Sequence, residues 1–291
     1  MSKRVLSIVF SYILALFFAV TMLAGVLFDF AYKTVCDPEL LVSHAISSGY
    51  ATELYDEILY KWENLLSITG IDDTEPFTQV LTLERVEDAA YSYLRNAYTG
   101  ISEIDTKLMS GELEAKVREY ANNNNIHETP QEELDKNVVN LVSACEKEFV
   151  NSIKIPVLPK LLSALSKLSP VLKICPIICM AFSVLLLVFV FFLQKKRTDV
   201  LFYCAIGSLT NTVLILGATW ATGKYQLVER IPIDLSALRT LAVSYLNCLF
   251  DKLQIYGQAF LYASAALVVL YVAVSFIVCF FKKKSACKEE A

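Results

Sequence analysis

Apolar and polar positions divide the chain into four long apolar runs and a largely polar remainder. The apolar runs cover residues 5–27, 174–193, 200–218 and 259–281 and contain no Asp, Glu, Lys, Arg or His. About 20 apolar residues in a helix cross the roughly 30 Å hydrocarbon core of a bilayer, where a helix also satisfies its own backbone hydrogen bonds. The pattern therefore predicts four transmembrane helices.

The polar segment between the first two runs shows apolar residues at helical spacing. Four stripes follow one another along this segment: Leu54, Ile58, Trp62 and Leu65; then Val86, Ala89, Ala90, Tyr93, Leu94 and Ala97; then Leu113, Val117 and Tyr120; then Leu134, Val138, Leu141, Cys145 and Phe149. About 140 residues suffice for an independent core. The segment is therefore predicted to be an all-helical domain.

Capping residues predict where several of these helices begin and end. Asp37 followed by Pro38 is typical of a helix start, and Gly49 and Gly70 are expected to separate helices. Thr129, with Pro130 and Glu132, predicts a second start closed by a capping box. Three prolines are expected to break the chain into short pieces before the second span: Pro156, Pro159 and Pro170.

The segment 219–258 is longer than a connection between two spans requires. Asp234 is expected to cap an amphipathic helix whose apolar stripe consists of Leu235, Leu238, Leu241, Ala242, Tyr245, Leu249 and Leu253. This helix could pack on the acidic domain, which is the favoured interpretation. The alternative is that it lies in the outer lipid interface.

Charge sets the predicted orientation of the spans. The chain is 55% hydrophobic and only 19% charged, and residues 29–170 carry 24 acidic against 12 basic residues. Basic residues flank the spans at three places that four crossings put on one side: Lys3 and Arg4; Lys195, Lys196 and Arg197; and Lys282, Lys283, Lys284 and Lys288. The positive-inside rule makes that side cytoplasmic. The acidic domain is then extracytoplasmic.

These expectations define an all-α membrane protein with an extracytoplasmic all-helical domain inserted between transmembrane helices 1 and 2. The predicted parts are 1–28, the cytoplasmic N-terminus and first span; 29–170, the acidic domain; 171–218, spans 2 and 3 with a short cytoplasmic loop; 219–258, the second extracytoplasmic loop; and 259–291, the fourth span and basic cytoplasmic tail. A cleaved signal peptide is the alternative for the first run. That run is long for a signal peptide, and no A-x-A site follows it.

Neither the cysteines nor the histidines form a recognisable catalytic or metal-binding motif. The predicted topology puts Cys36, Cys145 and Cys248 outside, where one disulfide could form, although the spacing does not identify a pair. His44 and His127 are the two histidines, and no zinc or calcium pattern surrounds either. No metal, cofactor or catalytic residue is assigned. An acidic exposed domain also argues against binding nucleic acid.

Small and polar residues inside the spans predict close helix packing. Such residues recur at every fourth position in the first and fourth spans: Ser7, Ser11, Ala15 and Ala19; and Ala259 and Ala263. In the third span, Asn211 lies among Gly207, Ser208, Thr210 and Thr212. A polar pore or substrate contact is the alternative use of that face.

The favoured function is a non-enzymatic membrane protein whose outer domain mediates protein interaction, assembly or sensing. Its expected partners are the lipid bilayer, a membrane or envelope protein and a second copy of itself, and its expected location is a bacterial inner membrane. One alternative is a channel or transport component formed by oligomerisation of the four-helix bundle, for which Asn211 is the residue to test. The other is a membrane enzyme with dispersed acids, for which Glu57, Asp73 and Glu128 are the candidates. No family resemblance is assigned.

Overall fold

The secondary structure is helical throughout the part of the chain that the computed structural model describes, which comprises residues 3–71, 73–123, 131–194, 196–233 and 235–289. No strand occurs in these ranges. The α-helices are α1 (Lys3–Phe30), α2 (Pro38–Ser47), α3 (Tyr50–Ile68), α4 (Glu75–Thr78), α5 (Leu83–Ala97), α6 (Lys107–Asn123), α7 (Gln131–Ile153), α8 (Leu158–Leu193), α9 (Asp199–Lys224) and α10 (Ser236–Glu289). A π-helical turn, Ala31–Val35, follows α1.

Residue contacts divide the chain into two compact units. The span unit consists of Met1–Val35, Leu168–Arg230 and Leu246–Ala291. The acidic unit consists of Cys36–Lys167 and Ile231–Tyr245. By sequence, the acidic unit holds 24 acidic and 12 basic residues, so most of the chain's negative charge belongs to it.

Four helical segments are long and apolar enough to cross a membrane, as the hydrophobic pattern predicts. They are Ile8–Val35, Leu158–Leu193, Asp199–Lys224 and Ser236–Phe280. Each segment extends beyond the apolar run that predicts it, because the helices continue into polar sequence at one or both ends. The chain therefore has the composition and secondary structure of a membrane protein.

The prediction that three prolines break the chain before the second span is confirmed for Pro156, which lies between α7 and α8, and wrong for Pro159 and Pro170. Helix α8 runs without interruption from Leu158 to Leu193 and contains Pro170 and Pro176 in its interior. Pro159 is the second residue of α8, where its missing N–H would have had no intrahelical acceptor. Interior prolines are tolerated in apolar helices whose neighbours re-satisfy the freed backbone groups.

The prediction of a separate amphipathic helix and fourth span is also wrong. Both belong to α10, which is continuous for 54 residues. Helix α9 likewise extends to Lys224, so helix occupies both ends of the predicted loop 219–258. No proline or glycine pair follows Asp234 to stop the helix, and Gly257 alone does not end it.

Large apolar side chains form the core of the acidic unit. Trp62, Tyr93 and Phe77 are almost completely buried, and the predicted stripes of α3, α5, α6 and α7 converge on them. Trp62 Nε1 donates to the carbonyl of Cys145 at 3.0 Å, and Tyr93 OH donates to the carbonyl of Ile155 at 2.8 Å. These two hydrogen bonds pair the polar side-chain atoms of Trp62 and Tyr93 inside the core.

The first predicted helix start is confirmed. Asp37 Oδ1 accepts from the N–H of Glu39 at 3.0 Å, and Pro38 is the first residue of α2. Gly49 and Gly70 adopt φ of 73° and 80°, the left-handed region that glycine enters without strain, and they lie at the two ends of α3. Thr129, Pro130 and Asp234 lie outside the described residues.

The first turns of α10 pack on the acidic unit. Ala237 and Leu241 are buried in its core, and Tyr245 packs against it. Thr240 Oγ1 donates to the carboxylate of Glu53 on α3 at 2.9 Å. The favoured interpretation of this amphipathic segment, packing on the acidic domain, is therefore confirmed.

Small residues mediate helix contacts in the span unit. Ser11, Ala15 and Ala19 of α1 are buried, as their spacing predicts. The predicted ridge of Ala259 and Ala263 is wrong, because both residues are exposed. The face of α10 that packs instead carries Gly257, Phe260 and Ser264, and a Cβ on Gly257 would lie only 2.6 Å from Leu216 Cδ2.

Candidate interaction site

An open apolar groove of about 700 Å³ lies in the acidic unit between α3, α6 and α7. The C-terminal end of α3 contributes Leu65 and Ile68, α6 contributes Val117 and Tyr120, and α7 contributes the third wall. The α7 wall consists of Leu134, Asn137, Val138, Asn140, Leu141 and Ala144.

Local sequence explains how α3 ends at this groove. The N–H groups of Gly70 and Ile71 donate to the carbonyls of Ser67 and Leu66, at 3.0 and 3.1 Å. This reversal, which needs the positive φ of Gly70, returns Ile71 to the core and leaves Ile68 outside it. Ile68 is 83% exposed. An isoleucine so exposed at the edge of an apolar groove is available to a partner.

The groove differs in charge from the unit that contains it. Of the described residues that line it, none is charged. Asn137 and Asn140 are exposed on α7, where their amides can donate and accept hydrogen bonds. Apolar walls with a few polar groups are typical of binding grooves. The arrangement can bury an apolar segment and orient it.

Two of the candidate catalytic acids, Glu57 and Asp73, form hydrogen bonds with residues nearby in the sequence. Glu57 Oε1 accepts from Lys61 Nζ at 2.7 Å, and Lys61 also donates to Ser152 Oγ at 2.9 Å. Asp73 Oδ1 accepts from the N–H of Glu75 at 3.3 Å. Glu128 and His127 lie outside the described residues. Within the described ranges, no group of three His, Cys, Asp or Glu residues could hold a metal ion.

The cysteines in the described ranges from Cys36 to Cys279 are free thiols. Cys36 Sγ donates weakly to the carbonyl of Leu165 at 3.7 Å, and burial raises its pKa. Burial, with a smaller contribution from Glu148, raises the pKa of Cys145 to about 12. A buried thiol with that pKa is protonated and unreactive at neutral pH. Cys36 and Cys145 therefore contribute to packing in the acidic unit.

Asn211 lies inside the span unit. Its side chain is 1% exposed, and neither Oδ1 nor Nδ2 has a hydrogen-bond partner among the described residues. Gly207, Ser208 and Thr212 on the same face are also buried, and Ser208 Oγ donates to the carbonyl of Phe260 at 2.9 Å. The predicted packing role of this face is confirmed. Asn211 faces the interior of its own chain.

Sequence reasoning missed the groove. The apolar stripes predict the helix faces that carry Leu65, Val117, Tyr120 and Leu141. A stripe along one helix does not show where two helices separate. The one available signal was the polar–apolar alternation of α7, where Asn137 and Asn140 lie beside Val138 and Leu141.

The fold and this site define an all-helical protein with four membrane-length apolar helices and a second, acidic helical unit. Comparison with known proteins finds no matching family model, no similar curated protein and no similar solved structure.

Proposed function

We propose that this chain is a non-enzymatic, membrane-anchored interaction protein whose acidic unit binds another protein through the groove between α3, α6 and α7. The observation that carries the proposal is the apolar lining of a groove of about 700 Å³, whose described lining residues are all uncharged, in a unit with twice as many acidic as basic residues. Large exposed apolar surfaces are typical of interaction sites.

Groove and charge together specify the partner's chemistry. An apolar anchor would enter the groove and contact Ile68, Tyr120 and Leu141, as an amphipathic helix does in other helix-lined grooves. The net negative charge of the unit would favour encounter with basic residues flanking that anchor. The expected partner is a membrane or envelope protein with a short apolar segment between Lys or Arg residues.

We also propose the multi-pass topology that the basic clusters indicate. Both termini would lie in the cytoplasm and the acidic unit outside it, because Lys and Arg concentrate beside the predicted inner ends of the spans. A bacterial inner membrane is the proposed location. The chain has no N-x-S/T sequence in its proposed outer segments, consistent with that choice.

The experiment compares two charge-introducing variants of full-length protein isolated from native membranes. Ile68→Arg puts a cation at the edge of the groove, whereas Tyr60→Arg changes a residue of α3 that is 66% exposed and outside the groove. After crosslinking and mild-detergent purification, quantitative mass spectrometry measures every retained protein. One partner should co-purify with the parent and Tyr60→Arg at near-equal amounts and be lost from Ile68→Arg.

Both variants should keep the parent's melting temperature, since exposed substitutions usually change stability by about 0.5 kcal/mol or less. Equal retention of the partner by both variants would place binding elsewhere. Purification of the parent as a defined oligomer without a partner would contradict the proposal.

A further inference from the structure

The span unit carries aromatic residues at two levels. At one level, the rings of Tyr12 and Tyr203 meet at a centroid distance of 5.3 Å, and those of Phe202 and Tyr271 at 5.7 Å. Three helices contribute to this level: α1, α9 and α10. Gln194 Nε2, just past the end of α8, donates to Tyr203 OH at 3.3 Å and to Ser11 Oγ at 2.6 Å, so polar groups accompany the rings.

The same three helices carry aromatic residues at the second level. Phe30 of α1 meets Tyr256 of α10 at 6.2 Å, and Tyr256 OH donates to Asp29 Oδ2 at 3.0 Å. On α9, Trp220 lies one turn beyond Leu216, the residue that packs against Gly257. Trp220 is therefore within about one helical turn of Tyr256 along the unit.

The separation between the two levels agrees among the three helices. On α1, Tyr12 and Phe30 are 18 residues apart. On α9, Tyr203 and Trp220 are 17 apart, and on α10, Tyr256 and Tyr271 are 15 apart. A rise of 1.5 Å per residue makes these separations about 27, 26 and 23 Å. No Asp, Glu, Lys or Arg lies at positions 13–28, 204–219 or 257–270.

Positively charged side chains lie near both levels, on the side away from the apolar segments between them. Lys224 Nζ lies 4.6 Å from the ring centroid of Trp220, and Arg197 Cζ lies 5.1 Å from that of Phe191. Lys33 Nζ pairs with Asp29 at 2.8 Å. Trp and Tyr concentrate where the headgroups meet the acyl chains, and Lys and Arg extend from there toward phosphates.

We propose that the second aromatic level lies at a lipid–water interface of the span unit, and that Trp220 with Lys224 contacts phospholipid headgroups directly. The first level lies within the apolar runs of α1 and α10, which continue to residues 5 and 281, and the second level lies about 23–27 Å from it, so a hydrocarbon core of roughly 30 Å that ends at the second level contains the first. Trp220 is 61% exposed within the chain, so lipid can reach it. This inference rests on the four apolar helices and is independent of any partner at the groove.

Intrinsic fluorescence can test the proposal because the chain has two tryptophans in opposite environments. Trp62 is buried in the acidic unit, and Trp220 is exposed on α9. Full-length protein and a Trp220→Phe variant would be reconstituted into phosphatidylcholine vesicles brominated either near the glycerol end or near the methyl end of the acyl chains. The difference between the two proteins isolates the Trp220 signal and leaves the Trp62 environment unchanged.

Bromines near the glycerol end should quench the Trp220 signal more than bromines near the methyl end. The residual fluorescence of Trp220→Phe should be insensitive to both lipids. Stronger quenching by the deep bromines would place α9 at another depth, and no quenching by either would mean that water or a second protein copy covers Trp220. Either result would overturn the assignment of the second level to a lipid–water interface.

Discussion

The acidic unit and the span unit differ in how they expose large apolar side chains. In the acidic unit, Trp62 and Tyr93 are buried, and helix-ending residues such as Gly70 lie outside the core. In the span unit, Ser11, Ala15 and Gly207 are buried between helices. Large apolar residues such as Phe192, Phe276 and Tyr262 face outward there, each more than 70% exposed.

The solvent around each unit explains this difference. Water drives large apolar side chains of the acidic unit into a shared core. Lipid chains are as apolar as leucine, so the span helices associate by close backbone approach and interhelical hydrogen bonds. The hydroxyl pair of Thr21 and Ser183, 2.7 Å apart, is one such contact between α1 and α8. Apolarity alone therefore does not identify the buried residues of this chain.

The two tryptophans give the largest expected difference between the units. Trp62→Ala would remove a fully buried ring and its hydrogen bond to Cys145, and should lower the free energy of unfolding of the acidic unit by about 3–5 kcal/mol. Trp220→Ala should leave that unit's stability unchanged, because the ring belongs to the other unit and is exposed. Circular dichroism of both variants during chemical denaturation measures the effect. Equal losses of unfolding free energy in the two variants would contradict the expected difference between the units.

The second largest expected effect is on the stability of the span unit, and it compares two glycines of α9. A Cβ at Gly207 would lie 2.7 Å from Phe18 Cδ1, whereas a Cβ at Gly217 meets no atom within 4 Å. Gly207→Ala should destabilise the span unit by about 1–3 kcal/mol through overpacking. Gly217→Ala should be neutral or stabilise it by up to about 1 kcal/mol, since alanine favours helix. Thermal unfolding in one mild detergent compares them, and a Gly217→Ala loss as large as that of Gly207→Ala would contradict this packing.

Asn211→Leu tests the unpaired amide in the span unit. A buried polar group without a partner costs about 1–3 kcal/mol, so an apolar side chain of similar length should leave stability unchanged or raise it by about 1 kcal/mol. The same detergent melting experiment measures this change. A clear loss of stability would show that Asn211 has a partner in the native membrane, and loss of solute flux in liposomes would favour the channel alternative.

Glu39→Gln should have the smallest effect, and the effect should depend on pH. Arg95 donates to Glu39 from Nε and Nη2, at 2.8 and 3.0 Å, and this pairing lowers the pKa of the Glu39 carboxyl. A lowered folded-state pKa gives stability that is present above the unfolded value and lost as pH falls through the folded value.

The parent should therefore exceed Glu39→Gln in stability at neutral pH, and the difference should vanish in acid well below pH 4.5. Both carboxyl and guanidinium are exposed, so salt should reduce the difference too. A difference that persists in acid would mean that the glutamate stabilises by packing.

The membrane-length helices, one helix start and one apolar stripe were predictable from the sequence. Four spans followed from apolar length, the α2 start from Asp37, and the α3 stripe from spacing, because each depends on local chemistry. The continuity of α8 through Pro170 was not predictable from local rules, since neighbouring helices decide whether a proline is tolerated. The groove beside Ile68 depends on how three helices diverge, and no spacing along one helix encodes that.

The proposed topology puts the acidic unit and the chain termini on opposite sides of one membrane. Single cysteines at Asn123, the last residue of α6, and at Ser285, in the basic tail, would be compared with the parent for labelling by a membrane-impermeant maleimide. Asn123→Cys should react in intact cells, and Ser285→Cys only after permeabilisation. Reaction of Ser285→Cys in intact cells, or protection of Asn123→Cys, would contradict this topology.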